Sequence, residues 1–65
     1  MTLDRARELL QVQVELGSGY NRNSARLILA EVEREHGQGA VDQLIRELGL
    51  EQAFGLRPST HFSAP

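Results

Sequence analysis

The chain has neither cysteine nor lysine among its 65 residues, and each absence removes a class of chemistry. Without cysteine there is no disulfide to brace the fold and no thiolate to hold a metal. Without lysine there is no Schiff-base nucleophile and no Walker-type phosphate lysine. All seven basic residues are arginines, whose guanidinium groups pair bidentately with phosphate or carboxylate; the base composition of the genome accounts for the bias equally well. Long apolar runs are also missing: none approaches the roughly 18 residues of a membrane span, and Met1-Thr2-Leu3-Asp4 does not open a signal peptide. The expectation is a cytoplasmic protein with no membrane partner.

A chain this short makes a single domain, and it buries roughly 60% of the surface its unfolded form exposes. Proteins of this size commonly gain stability from disulfides, a structural metal or a second subunit. With cysteine absent, self-association is the most accessible of these.

What is present is helical patterning. Thr2 to Leu16 reads as a first helix with Thr2 as N-cap and Asp4 in the first turn, where the helix dipole favours an acid. Its apolar residues Leu3, Ala6, Leu9, Leu10, Val12, Val14 and Leu16 span about 200° of the circumference, more than one neighbouring helix covers. Gly17 supplies the stop. A second helix is expected from about Arg22 to His36, its apolar stripe made of Ala25, Ile28, Leu29 and Val32, with Leu27 stranded on the far side. Asn21 reads as its N-cap, and Tyr20 and Ala25 as a small hydrophobic staple that lays the tyrosine ring over the hairpin. His36 and Gly37 end it.

A third helix follows, with Gly39 as N-cap, Ala40, Val41, Leu44, Ile45 and Leu48 on one face, and Asp42 paired with Arg46 on the other. Gly49 and Leu50 resemble a Schellman end, and a short helical turn over Glu51 to Phe54 is closed by Gly55. No strand alternation and no internal repeat is visible. The expected fold is all-α: an antiparallel helical hairpin, a third amphipathic helix packed across it through loops of three to five residues, and a C-terminal helical turn, completed by homodimerisation. Residues 1–56 form the helical domain and 57–65 a flexible tail, in which Phe62 either docks or stands free.

Chemistry-bearing constellations are thin. Ser18, Ser24, Ser59 and Ser63 fall in loops or caps, His36 and His61 are not spaced to pair with any of them, and a bundle of this size seldom encloses a pocket of roughly 300 Å³. No enzymatic activity, no catalytic residue and no cofactor is expected. Glu33-Arg34-Glu35-His36 contains the Glu-x-x-His spacing of di-iron carboxylate bundles, but two such residues on a last turn read as a charged surface with a capping histidine, so no metal is expected.

LILAEVEREHGQGAVDQLIREL has the outline of a helix-turn-helix, yet its second helix offers Asp42, Gln43, Arg46 and Glu47, whose charges nearly cancel. With a formal net charge of −2, the counterion-release contribution to nucleic-acid affinity is weak. GSGYNR starts like a dinucleotide-binding loop but lacks the third glycine and a preceding strand. What remains is an anion or nucleic-acid patch of Tyr20, Arg22, Asn23 and Arg26 near a helix N-terminus.

The favoured reading is a small regulatory or accessory module that binds a protein partner as a homo-oligomer, with Leu9, Val12, Leu16 and Leu27 at the association surface. The alternative is a DNA- or RNA-binding regulator of helix-turn-helix type.

Overall fold

A computed structural model describes residues 1–62 of the chain; residues 63–65, Ser63 among them, lie outside the described part. Four helices follow one another: α1 (Leu3–Leu16), α2 (Gly19–His36), α3 (Gln38–Leu48) and α4 (Leu50–Phe54), with no strand among the described residues. Thr2 caps α1 as its sequence implies, its hydroxyl accepting from the Arg5 N–H at 3.1 Å. The Gly17 N–H closes the far end on the Gln13 carbonyl at 2.8 Å.

The start of α2 differs from the expectation. Ser18, not Asn21, is the N-cap: its hydroxyl accepts from the Asn21 N–H at 3.3 Å, and the Asn21 side chain accepts from the Ser18 N–H at 3.0 Å. Two orphan donors are thus satisfied reciprocally, with asparagine in the place usually held by a longer Glu or Gln. Beginning three residues early puts Tyr20 inside the first turn, where its side chain is 86% exposed and braces nothing. The staple with Ala25 is therefore not formed.

The connections are also shorter than expected. Gly37 alone joins α2 to α3, and Gly49 alone joins α3 to α4. Both hold positive φ, 88° and 65°, which glycine adopts without a Cβ penalty, so one residue redirects the chain. Gly39 in consequence lies within α3, and Gly37 takes the N-cap position.

The α1–α2 pair runs antiparallel. Asn21 donates to Gln13 at 2.8 Å beside the turn, and at the other end the Met1 amine reaches Glu35 at 2.6 Å and Glu31 at 3.3 Å. These two carboxylates hold the amine above its ordinary range. α3 packs on the opposite flank of α1, where Arg7 forms an ion pair with Glu47. Ala6 and Leu10, Ala25, Leu29 and Val32, Val41, Leu44 and Ile45, Leu50, Phe54 and Leu56 form one buried cluster containing no polar side chain.

The wide apolar arc of α1 resolves into two stripes. Leu3, Ala6, Leu10 and Val14 fall within about 80° of one another and make the stripe that joins the core; Leu9, Val12 and Leu16 fall within about 60° of one another further round the helix.

Residues 57–62 return along α2 and α3. Ser59, at φ 68°, donates its N–H to Asp42 at 2.7 Å; the Gln38 amide donates to the Thr60 carbonyl at 2.9 Å; the Phe62 N–H donates to Glu33 at 2.8 Å. Asp42 thus serves the tail and Gln38 by hydrogen bonds, and the Ser59 N–H, with a smaller contribution from the Arg46 charge expected beside it, holds its carboxyl below the ordinary carboxylate range.

Candidate functional surfaces

Two surfaces on separate flanks of α2 carry the residues singled out by sequence. The first is apolar. Gln13 on α1 and Asn21, Glu31 and Glu35 on α2 mark the seam between the two helices, since they bond across it or to Met1. At about 100° per residue, Leu9, Val12 and Leu16 lie just beyond Gln13 on the side away from Leu10. Tyr20 and Leu27 lie just beyond Glu31 on the side away from Leu29 by the same rule. Both stripes therefore flank the seam on the outward face of the hairpin.

Leu27 is 73% exposed, Leu16 67% and Val12 47%, while Leu9 is half-buried at the edge of the stripe. Three of these four association-surface candidates stand in solvent, and the helical register places all four on one face. Tyr20 joins them, rather than the arginines with which its place in the sequence groups it. Its position follows from the seven-residue spacing to Leu27, two turns along one face of a helix.

The second surface is cationic. Arg22 and Arg26, one turn apart on α2, form one wall of a groove of about 270 Å³. Gly55, Leu56, Arg57, Thr60, His61 and Phe62 complete it. No carboxylate is in that lining, although the chain carries nine acids against seven arginines. Asn23 and Tyr20 are not part of it, so the expected patch is divided: its arginines belong to the groove and its tyrosine to the apolar face.

Each arginine is held differently. The Arg22 Nε donates to the Phe54 carbonyl at the end of α4, 2.8 Å away, which fixes the stem of the guanidinium and leaves its terminal N–H groups. Arg26 has no hydrogen bond or ion pair among the described residues. Arg57 is 77% exposed and sits 3.5 Å from Glu51. His61 lies 3.4 Å from Glu33, whose other oxygen accepts from the Phe62 N–H.

The remaining candidates do not converge. Glu33 faces the tail while the His36 ring meets the Met1 carbonyl at 2.9 Å, so the Glu-x-x-His pair does not share a centre. Among the described residues no group of three or more His, Asp or Glu is placed to hold a metal ion. The outline of a helix-turn-helix is altered as well: a single glycine replaces the three- to four-residue turn, and Asp42 and Glu47 of α3 are engaged by the tail and by Arg7. No described helix is long and apolar enough to cross a membrane. No protein-family model, no curated protein and no solved structure matches this chain, so its surfaces stand on their own geometry.

Proposed function

We propose that the chain is a small non-enzymatic interaction module that acts as a homo-oligomer, joining copies through the outer face of the α1–α2 hairpin and serving a protein partner as a regulatory or accessory subunit. The observation that carries this reading is the exposure of Leu16, Tyr20 and Leu27 together on one face, beside Val12 and Leu9. Scattered apolar surface residues are ordinary; a contiguous group next to a closed core is the kind of surface that proteins use for association. A two-fold pairing of hairpins buries the same face on both copies, the commonest arrangement of soluble oligomers.

Sedimentation velocity at micromolar concentration tests it. The expected result is a dimer or larger species that Leu16→Asp with Leu27→Asp converts to a monomer of unchanged helical circular dichroism. A stable, compact wild-type monomer overturns the oligomer.

A nucleic-acid regulator is the second reading, favoured by the single observation that Arg22, Arg26 and Arg57 share one groove. It ranks behind because the chain is net acidic and the exposed face of α3 mixes both signs. Binding to mixed duplex DNA with a salt slope that shrinks on replacing Arg22 and Arg26 by alanine supports it; no binding at low salt removes it.

A further inference from the structure

We propose that the groove between α2 and the returning tail is a binding site for a phosphomonoester dianion carrying a small apolar or aromatic group. Three of the chain's seven arginines meet there with an imidazole and the hydroxyl-bearing Thr60, in a lining free of carboxylates. Like charges gathered around one groove repel each other, a cost that Glu51 beside Arg57 and Glu33 beside His61 offset only in part. A bound dianion offsets it, and guanidinium is the side chain best matched to phosphate oxygens through paired N–H donors.

The separate restraints on the arginines suit capture. Arg22 is preorganised by its bond to the Phe54 carbonyl, so its terminal donors are held in place before a ligand arrives. Arg26, one turn along α2, has no competing partner among the described residues. Arg57 meets Glu51 only at 3.5 Å and with most of its side chain in water, a pairing that a dianion readily displaces. The nearby acid Glu33 is occupied by the Phe62 N–H and His61.

Size and lining specify the rest of the ligand. About 270 Å³ exceeds what one phosphate fills and lies just below the usual range of small-molecule sites, roughly 300–1,000 Å³. Phe62, half-buried above the closed core residue Leu56, supplies the apolar surface for the ester's organic group. The groove and the apolar face are separate surfaces of α2, with Arg26 and Leu27 about 100° apart and Arg22 and Tyr20 about 160° apart.

The test is a titration of the full chain with phenyl phosphate at constant ionic strength, followed in amide ¹H–¹⁵N spectra. Saturable shifts confined to residues 22–26 and 55–62 are expected. Arg26→Gln combined with Arg57→Gln should weaken binding about 10-fold or more, the loss of two charge-assisted contacts, while Arg34→Gln, on α2 but outside the groove, leaves it unchanged. Spectral dispersion reports whether each variant is folded. The proposal is overturned by the lack of saturation below about 10 mM, by equal affinity of the double variant, or by equal affinity for benzoate. Saturable binding of a single-stranded oligonucleotide with no response to phenyl phosphate overturns it in favour of nucleic acid.

Discussion

On one flank of α2, Arg22, Arg26 and Glu33 are met by the returning tail; on the other, Tyr20 and Leu27 face outward beside Leu16 and Val12, with no described residue covering them. A closed monomer governed by the hydrophobic effect alone would arrange these the other way round, covering leucines and leaving arginines to water. The core explains why it does not. Leu29, Val32, Leu44, Ile45 and Leu50 already fill the interior with almost no exposure, and the residues packed with them come from all four helices and from Leu56 and Phe62. The outward leucines are surplus to that core. The tail, meanwhile, is tied by hydrogen bonds to Asp42, Gln38 and Glu33 and by Phe62, half-buried against the core.

The sharpest way to break this contrast is to compare two leucines two residues apart. Leu29→Ala should cost about 2–5 kcal/mol, a loss comparable with the whole stability of so short a chain, because it leaves a cavity in a close-packed interior. Leu27→Ala should change the unfolding free energy by less than about 0.5 kcal/mol in dilute protein, since its side chain is already hydrated. Urea denaturation at two protein concentrations separates the effects. Comparable losses at low concentration would mean that the outer face belongs to the monomer's core.

Much of this was legible from the chain. The inner stripe of α2, the amphipathic face of α3 and the caps at Thr2 and Gly17 follow from periodicity and terminal preference, which are local properties. What periodicity could not show is where α2 begins, since both Ser18 and Asn21 are good caps and the choice depends on which of them can exchange bonds with the other. Nor could it bring Arg57 and His61 to Arg22, because that contact rests on a tail whose bonds to Asp42 and Glu33 span many residues. The division of the α1 arc was within reach: Leu9, Val12 and Leu16 are separated from Leu3, Ala6, Leu10 and Val14 by the same rule that identified the helix.

Asp42 allows the tail side of the comparison to be sharpened through pH. Its folded carboxyl lies below the ordinary value of 3.8 because the Ser59 N–H and the Gln38 amide favour the charged form. The group therefore binds protons less readily folded than unfolded. Its contribution is fully present above the ordinary value and is lost as pH falls through the depressed folded one. The Ser59 amide resonance should move over that acidic window. In Asp42→Asn the movement should vanish and the Ser59 amide should exchange with solvent severalfold faster at neutral pH. A Ser59 resonance that titrates identically in both proteins would show that the tail is held without this carboxylate.

The smallest effects distinguish a cap from a brace at the first corner of the chain. Ser18→Ala removes the acceptor for the Asn21 N–H and the hydroxyl partner of its side chain, and should cost about 1 kcal/mol, the usual worth of an N-cap. Tyr20→Ala, two residues on, removes a ring that is almost wholly in water and should change monomer stability by less than about 0.5 kcal/mol. If the ring instead laid itself over the hairpin, the tyrosine would carry the larger loss and the serine the smaller. The proposed oligomer adds an independent readout. Tyr20 shares the outward face with Leu27, so Tyr20→Ala should weaken association while leaving dilute unfolding almost untouched, whereas Ser18→Ala should do the reverse. A tyrosine variant that neither unfolds more easily nor associates less would remove Tyr20 from the proposed interface and confine it to Leu9, Val12, Leu16 and Leu27.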